Sequence, residues 1–200
     1  MMITTHIPPL LEVLSPRQGE GPFYPVIARH EWPETSLLHS VNATLPAHER
    51  LRLRICVVGD TPQVPLRVEV WHASREGRYR HPRDPQWTRL WDPDFLGYAQ
   101  QTLNGSDSVD FYTCLPGIYW DPEDGPRPRH VHLKFRDESG NEIYTTQIYF
   151  SGDRLNAFES SLERLKPLER AELSPTLHWN QPLKTWTAEF VVRVGIRLPR

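Results

Sequence analysis

The sequence predicts an all-β protein: an antiparallel β-sandwich with long irregular loops, an N-terminal arm and one short helix. The first observation is a set of six extended segments rich in β-branched and aromatic residues and bounded by Gly, Pro, Asp or Ser, namely residues 51–58, 66–71, 109–114, 131–135, 143–150 and 185–194. The second is a content of 20 prolines and seven tryptophans, which disfavours an all-helical fold. The third is a length of 200 residues, which suits a single domain over residues 1–200.

The individual elements follow from their periodicity. Residues 66–71 (LRVEVW) alternate between apolar and polar side chains, and this alternation predicts a strand with one buried face. A helix is predicted over residues 154–165, because apolar side chains recur there at helical spacing. Asp153 is positioned to cap this helix and Pro167 to end it.

Two long segments show no convincing period. Residues 1–50 predict an irregular N-terminal arm that wraps the sandwich. Residues 72–104 are polar, aromatic and proline-bearing, and long irregular connections in compact domains tend to be functional.

Composition excludes several classes of function. The formal charge is −2, from 23 basic and 25 acidic residues without a block of one sign, so neither a nucleic acid nor a membrane surface is indicated as a partner. No apolar run approaches the length of a membrane span, and the N-terminus has no basic region of the signal-peptide type. Cys56 and Cys114 form no C-x-x-C pair and are predicted to be reduced core residues of a cytoplasmic protein.

The segment GPRPRHVHLKF, residues 125–135, carries the first candidate ligands. His130 and His132 share one face of a predicted strand, and two imidazoles on one face can chelate a metal ion. Histidines on a solvated strand face are also common, so the pair needs further donors. A cupin-type Fe(II) site would require an acid four or five residues beyond His132, where Arg136 and Asp137 stand. Asp137 would lie on the opposite face of the strand, which disfavours a cupin-type site.

Tyrosines offer other donors. Tyr79 lies in GRYRH and Tyr119 in LPGIYW. A phenol with a pKa of about 10 is normally a poor ligand. A highly charged cation reverses this, because a bound metal can deprotonate its ligand. Two phenolates with two neutral imidazoles would favour Fe(III), although each tyrosine taken alone is typical of ordinary aromatic packing.

Taken together, these motifs resemble the intradiol ring-cleavage dioxygenases, with greatest similarity to the iron-binding β-type chains of protocatechuate 3,4-dioxygenases. The matching segments occur in the family's order, over about two-thirds of the chain. They are SPRQGEGPFYP, VEVWHASREGRYRH, DPDF, LPGIYW, RPRHVH and TQIYFSGD.

This resemblance implies a ferric ion held by Tyr79, Tyr119, His130 and His132. It also implies a catalytic arginine, Arg127, and a glutamine behind the ligands, Gln147. Tyr119 is further predicted to accept a substrate proton. Candidate substrate-binding residues are Tyr24, Trp120 and Arg129. The family's Tyr-Pro-Trp step is shortened here to Tyr119-Trp120, and Arg129 stands where a small residue is usual.

The resemblance implies that a catechol-type ring is cleaved with O2 between its two hydroxyl-bearing carbons to give a cis,cis-muconate-type diacid. Protocatechuate is the leading substrate, while catechol, hydroxyquinol and substituted catechols remain open. The protocatechuate carboxylate would need a cation. The candidates are Arg75, Arg78, Arg80, Arg83 and Arg129.

Two other functions stay open. One is a β-sandwich module that binds carbohydrate or another ligand through exposed aromatic residues. The other is a non-catalytic partner chain of a dioxygenase, although all four ligand positions are filled here. The aromatic-rich arm indicates assembly, either as a homo-oligomer or with a related chain.

Overall fold

The computed structural model describes residues 10–39, 45–59, 65–86, 88–90, 92–104 and 107–197. All six predicted strands are confirmed, and their observed ends differ from the predicted ends by at most three residues. Five further strands accompany them in the described part of the chain. The strands are β1 (Leu10–Val13), β2 (Arg50–Gly59), β3 (Leu66–Trp71), β4 (Tyr98–Leu103), β5 (Ser108–Cys114), β6 (Tyr119–Asp121), β7 (Gly125–Arg127), β8 (Val131–Arg136), β9 (Glu142–Ile148), β10 (His178–Asn180) and β11 (Thr185–Arg197).

These strands form two large sheets and one small ribbon. The first sheet has the order β1-β11-β2-β5, with β10 also pairing with β11, and the second has the order β4-β3-β8-β9. Strands β6 and β7 form the ribbon. One pair departs from the antiparallel prediction, because β11 lies parallel to β2. A parallel pair requires a long crossover, and here the chain builds the second sheet between these two strands.

The core lies between the two large sheets. Alternate residues of β2 point inward and are buried, including Leu51, Leu53 and Ile55. Inward residues of β8, such as Leu133 and Phe135, belong to the same hydrophobic cluster. The sheets therefore pack face to face as a β-sandwich, which confirms the predicted fold class.

The outer face of the second sheet is also buried. Trp71 on β3 lies opposite His132 on β8, and His132 lies opposite Gln147 on β9. The exposed fraction of each of these three residues is 5% or less. An outer face is normally solvated, but here residues 19–24 of the arm cover it. Polar side chains on this face are therefore buried.

The N-terminal arm is less irregular than predicted. Strand β1 pairs antiparallel with β11 and so belongs to the first sheet. Two 3₁₀ turns follow, at Arg29–Glu31 and Ala47–Glu49. Residues 1–9 and 40–44 of the predicted arm lie outside the described residues.

The single predicted helix is replaced by three short elements. A 3₁₀ helix covers Arg154–Phe158, and two α-helices follow, α1 (Ser160–Glu163) and α2 (Pro167–Glu172). Asp153 does cap the first element, because its side chain accepts a hydrogen bond from the Leu155 amide. Pro167 begins α2 instead of ending a helix, since proline fits the first helical position. Phe158 is 71% exposed, so the predicted apolar stripe is wrong at that position.

Among the described residues, no helix combines the length and the apolar character that a membrane span requires. Both cysteines are free thiols. Cys114 is fully buried, as predicted for a core residue. Cys56 is only partly buried, because it lies on the outward face of β2 beside Arg54.

The outer face of the first sheet carries an ion-pair cluster that stabilises the pairing of β2 with β5. Asp110 accepts a hydrogen bond from Arg52 at 2.6 Å and two from Arg54, at 3.0 and 2.9 Å. Burial alone would raise the pKa of Asp110, but the hydrogen bonds from Arg54 and Arg52 outweigh it and lower the pKa to about 2.

We expect Asp110→Asn to lower the free energy of unfolding at pH 7 by about 1–2 kcal/mol, allowing for partial exposure of the cluster. A depressed pKa stabilises the fold above the unfolded-state pKa of about 3.9, and this stabilisation is lost as pH falls toward 2. Urea unfolding at pH 7 and at pH 2.5 measures this effect. The difference in the free energy of unfolding between variant and wild type should be smaller at pH 2.5. Asp107→Asn, at an exposed aspartate, is the control.

Candidate metal centre

The four side chains that the sequence predicts as metal ligands come from three separate parts of the fold. His132 lies on the outer face of β8, and His130 directly precedes this strand. Tyr79 lies in the long connection after β3, and Tyr119 begins β6. All four side chains are buried, with exposed fractions between 2% and 5%.

The structure brings these four side chains together. The Tyr79 hydroxyl lies 3.1 Å from His130 Nε2 and 3.0 Å from His132 Nε2. The Tyr119 ring is perpendicular to that of Tyr79, with 5.4 Å between centroids, and lies 5.7 Å from the His130 ring. Residues separated by about 50 positions thus meet in one pocket, while their role as metal ligands stays a prediction.

A close backbone contact holds the two tyrosine-bearing loops together. The amides of Gly77 and Gly117 both donate to the Ser74 carbonyl, each at 2.8 Å. A Cβ atom on Gly117 would lie 2.4 Å from the Gly77 nitrogen, so no larger residue fits there. Arg89 joins the same loops by donating to the carbonyls of Glu76 and Ile118. These contacts fix Tyr79 and Tyr119, two residues beyond each glycine, relative to one another.

The tautomer of His130 follows from its partner. His130 Nδ1 lies 2.8 Å from the Pro128 carbonyl, which can only accept, so Nδ1 carries the proton and Nε2 has a free lone pair. The His132 ring stacks on Trp71, with 4.9 Å between centroids and 7° between planes. Both imidazoles are thus held with Nε2 toward the Tyr79 oxygen.

Burial keeps all four donors neutral unless a cation is present. It lowers the pKa of His130 to about 3, with Arg127 acting in the same direction, and lowers that of His132 well below its usual value. Burial also raises the pKa of Tyr119 to about 12 and raises that of Tyr79 well above its ordinary value. Neutral imidazoles are ready to ligate, whereas the phenols need a strongly charged ion to release their protons.

The donor set fits a hard metal ion. Metal–nitrogen bonds of about 2.0–2.1 Å at right angles separate neighbouring ligand atoms by about 3 Å, and the Tyr79 oxygen has that spacing from both imidazole nitrogens. Among the described residues, no cluster of three or more His, Cys, Asp and Glu side chains could hold a metal. A metal at this site would therefore have to use the phenol oxygens.

Arg127 and Gln147 form a hydrogen-bonded group beside the four donors. Arg127 is 6% exposed, and its Nη2 donates to Gln147 Oε1 at 3.0 Å. Its Nε donates to Glu159 Oε2 at 2.8 Å. Burial alone would lower the pKa of Arg127, but the neighbouring Tyr119 and Glu159 raise it, so the guanidinium stays charged. The site therefore holds a permanent cation next to Tyr119.

A cavity of about 600 Å³ opens in front of Arg127 and Gln147. This volume lies within the range of small-molecule sites. Phe23 from the arm, which packs on the Tyr79 ring at 4.8 Å, contributes an apolar wall. Two more guanidiniums, of Arg83 and Arg164, line the cavity together with the carboxylates of Asp121, Glu123 and Asp124. The four donors do not themselves line the cavity. They adjoin it through Phe23, which packs on Tyr79, Arg127, which lies over the Tyr119 ring, and Gln147, which lies opposite His132.

The three predicted substrate-binding residues are not among the side chains that line this cavity. Tyr24 lies behind the site, where its hydroxyl donates to Glu69 at 2.8 Å. Trp120 follows Tyr119 on β6, so its side chain points to the other face, and it is 59% exposed. Arg129 donates to the Pro116 carbonyl and does not reach the cavity. Of the five cations proposed for a substrate carboxylate, only Arg83 lines the cavity.

Several residues of the site were not found from the sequence. Glu159 and Arg164 lie beyond the last recognisable motif, in a segment predicted as a plain helix. Tyr149 donates to Gln147 Oε1 at 3.3 Å and looked like an ordinary strand aromatic. Asp84 accepts a hydrogen bond from the Tyr79 amide at 2.6 Å and so fixes the loop that carries this tyrosine. An Asx-type turn at residues 84–86 was the only available signal for Asp84.

The arm backbone presses directly on His132. Gly21 has a φ of +75°, and a Cβ atom there would lie 3.0 Å from His132 Cε1. Glu20, the preceding residue, pairs with the buried Lys134 on β8, which anchors the arm over the site. A glycine is therefore required by both the backbone conformation and the contact.

We expect Gly21→Ala to lower the free energy of unfolding by about 1–2 kcal/mol, because an alanine is strained at positive φ. It should also weaken metal retention by displacing the His132 ring. Urea unfolding and the metal content after dialysis against a chelator measure the two effects. Gly19→Ala is the control, since its Cβ would meet nothing within 4 Å. Equal effects of both variants would contradict the proposed contact.

Comparison with known proteins identifies the family. The dioxygenase family model matches residues 20–163. The protocatechuate 3,4-dioxygenase beta chain of Burkholderia cepacia is 38% identical over 120 residues, covering 56% of this chain and 50% of that one. The chlorocatechol 1,2-dioxygenase of Pseudomonas sp. (strain P51) is 31% identical over 121 residues, covering 53% of this chain and 45% of that one. The chain thus spans about half the length of these curated relatives.

Solved structures share the fold. The dioxygenase domain of a dioxygenase–carbohydrate-binding protein fusion from Streptomyces sp. SirexAA-E superposes with a TM-score of 0.65 at 23% identity, covering 92% of this chain and 99% of that one. For the 3-chlorocatechol 1,2-dioxygenase of Rhodococcus opacus 1CP, the TM-score is 0.66 at 20% identity, covering 92% and 73%. The family match, the curated relatives and the shared fold lead to one conclusion: this chain belongs to the intradiol ring-cleavage dioxygenase family.

Proposed function

We propose that the chain is a non-haem Fe(III) intradiol dioxygenase that cleaves a catechol-type ring between its two hydroxyl-bearing carbons with O2. The observation that carries this proposal is the convergence of two phenols and two imidazoles in a buried pocket that adjoins a cavity of about 600 Å³. Two C–OH carbons become two carboxyl groups, so both atoms of O2 enter the cis,cis-muconate-type diacid and no other oxidant is needed.

Tyr79, Tyr119, His130 and His132 would hold the ferric ion. A ferric ion bound there would supply Lewis-acid chemistry that favours loss of the catechol protons, and the deprotonated ring is electron-rich enough at one carbon to react with O2. The chain's own contribution is to fix these donors in a site from which water is largely excluded. Tyr79 is the most constrained phenol, because its oxygen lies against both imidazole nitrogens.

A catechol must lose its protons to bind as a chelate, and Tyr119 is suited to accept one of them. A phenol has an ordinary pKa of about 10, so a phenolate that leaves a metal ion is a strong base. Among the described residues, the Tyr119 oxygen has no hydrogen bond to either imidazole comparable to those of Tyr79. The Tyr119 oxygen is therefore less constrained than that of Tyr79, so it could leave a bound metal and accept a proton.

Arg127 and Gln147 would act on the charge that develops during cleavage. The Arg127 guanidinium is positively charged and largely shielded from solvent, and it lines the cavity. Gln147 Oε1 is occupied by hydrogen bonds from Arg127 and Tyr149, and its Nε2 donates to the Gly19 carbonyl at 3.3 Å. Gln147 would therefore orient Arg127, while Arg127 stabilises the substrate anion directly.

A substituted catechol fits this cavity better than the parent compound. The cavity is several times larger than one aromatic ring, and its walls include three guanidiniums, those of Arg83, Arg127 and Arg164. Protocatechuate, which carries a carboxylate, is the leading candidate, and Arg83 and Arg164 are the cations positioned to receive this group. The Arg164 side chain forms no hydrogen bond or ion pair with another described residue.

We expect Arg164→Gln to raise KM for protocatechuate by about 10-fold, the effect of losing roughly one charged hydrogen bond, while KM for catechol changes little. Steady-state oxygen uptake with both substrates measures the difference. Arg154→Gln, at another exposed arginine of the same segment, is the control. An equal change in KM for both substrates would remove Arg164 from substrate recognition.

An oxygen-electrode panel tests the proposed function. Iron-loaded protein is supplied with catechol, protocatechuate, hydroxyquinol and chlorocatechols, and the products are identified by mass. Oxygen uptake with ring-opened diacid as product is expected for at least one substrate and should vanish in His130→Ala. No uptake with any of these compounds, or uptake unchanged in His130→Ala, would refute the function.

Two measurements separate the proposed dioxygenase from the two alternative functions. Iron content separates the dioxygenase from a β-sandwich module that only binds ligands, and catalytic turnover separates it from a non-catalytic partner chain.

We also infer assembly into a homo-oligomer or with a related chain, from the similarity to a beta chain. A cytoplasmic location is inferred from the two free cysteines.

A further inference from the structure

Glu159 is a buried carboxylate for which the sequence indicated no role. Its exposed fraction is 2%, although glutamate is among the residues that are rarely buried without a partner. Its Oε2 accepts the hydrogen bond from Arg127 Nε at 2.8 Å, and its Oε1 accepts one from the Ser161 amide at 3.1 Å. Each oxygen of this carboxylate therefore has its own partner.

The local backbone turns this side chain inward. Glu159 lies between the 3₁₀ helix Arg154–Phe158 and α1, and its own backbone is extended, with φ −79° and ψ 107°. A continuous helix would have kept helical backbone angles at residue 159. The break lets the Glu159 carboxylate enter the site, whereas its neighbour Phe158 is left exposed.

The consequence is a guanidinium fixed on two sides. Arg127 Nε is bound to Glu159, and Nη2 is bound to Gln147. Nη1 lies 3.8 Å from an oxygen of Asp124, which is beyond hydrogen-bonding distance. Arg127 and Asp124 both line the cavity, so Nη1, the nitrogen paired with Asp124, lies on the cavity side.

We propose that Glu159 is the positioning residue of Arg127, holding the guanidinium by Nε so that Nη1 points into the substrate cavity. This role rests on the proposed function, in which Arg127 meets the substrate anion. A serine at position 159 would cap α1 equally well but would leave the buried guanidinium without its anion.

Glu159→Gln is the sharpest variant because it changes charge and almost no shape. In a glutamine one of the two carboxylate oxygens is replaced by an NH2 group, which would face either the Ser161 amide or Arg127 Nε as a second donor, so one of the two hydrogen bonds is lost. We expect kcat/KM to fall about 10–100-fold, mainly through kcat, as is typical of a residue that orients a catalytic group. Glu163→Gln, at an exposed glutamate of α1, is the matched control and should leave kcat/KM unchanged.

A double-mutant cycle tests whether Glu159 acts through Arg127. In an Arg127→Gln background, Glu159→Gln should cost less than 3-fold in kcat/KM, because the group that it positions is already absent. An equal loss in both backgrounds would show a general structural role and would overturn the proposal.

A measurement independent of turnover separates this inference from the proposed function. The Nε–H signal of Arg127 in a ¹H–¹⁵N spectrum should be shifted downfield and protected from exchange in the wild type, and should lose both properties in Glu159→Gln but not in Glu163→Gln. If the protein proves inactive toward every catechol, this spectrum still decides whether Glu159 holds the guanidinium. An Arg127 signal that is unchanged in Glu159→Gln would refute the inference.

Discussion

Replacing Tyr79 by phenylalanine should abolish stable ferric binding and, with it, oxygen uptake. Tyr79→Phe removes the one oxygen that contacts both imidazole Nε2 atoms, at 3.1 and 3.0 Å, while the ring can still pack against Phe23. Wild-type protein loaded with Fe(III) should be red, because a tyrosinate ligand donates charge to the metal. In Tyr79→Phe this band should be lost or shifted, and the affinity for iron should fall by more than the roughly 10–100-fold cost of mutating residues behind the ligands.

The readouts are iron per chain, the visible spectrum and oxygen uptake with catechols, together with a melting curve to show that the variant folds. Tyr112→Phe, which removes a phenol on β5 of the other sheet, is the matched control. Two results would contradict the predicted ligand set. One is a colourless wild-type protein fully loaded with zinc, and the other is an unchanged charge-transfer band in Tyr79→Phe.

Replacing Arg127 by glutamine should cost about 10²–10³-fold in kcat, corresponding to about 3–4 kcal/mol of barrier, which is the usual effect of removing one preorganised charge-stabilising donor. Arg127 is well suited to such a role because it is 6% exposed, charged and fixed by Glu159 and Gln147. Arg127→Lys should recover only part of the loss, since an ammonium group cannot bind both partners with the same geometry.

The same substitution should also destabilise the protein, because Glu159 would be left buried without its cation. Breaking a buried pair in this way typically costs about 3–5 kcal/mol. Kinetics must therefore be measured below the melting transition of each variant. Arg129→Gln is the informative comparison, because its guanidinium binds the Pro116 carbonyl outside the cavity. If Arg129→Gln proved more damaging to kcat than Arg127→Gln, the assignment of the active-site arginine would be wrong.

The outer face of the second sheet explains why these effects should be concentrated in so few residues. On this face Trp71, His132 and Gln147 lie side by side across three strands, and the arm covers them. A site built on paired strands is held rigidly, whereas the tyrosines reach it from loops that are tied together at Gly77 and Gly117. The sheet thus supplies precision, and the loops supply the phenols.

The sequence by itself determined the strands, the fold class and the four side chains that meet at the candidate metal centre. Alternation at residues 66–71 could be read directly as a strand, but the structure buries both of its faces, since Glu69 and Trp71 on the outer face are as buried as Val68 and Val70. His130 and His132 could be paired because they lie two positions apart near one strand. Tyr79 and Tyr119 could be added only through similarity to a family, since nothing in their spacing brings them to the histidines.

Only the tertiary structure decided which charges lie at the cavity and how they are held. Glu159 and Arg127 are 32 positions apart, and they pair because the backbone breaks at Glu159 where a regular helix was predicted. Trp120 neighbours Tyr119 in the sequence but points elsewhere, since adjacent residues along a strand face opposite directions. Arg129 neighbours His130, but it lies in a bend between β7 and β8 and donates to the Pro116 carbonyl. Local pattern fixes which side of a strand a residue occupies, whereas a pairing between distant charges depends on the packing of the whole chain.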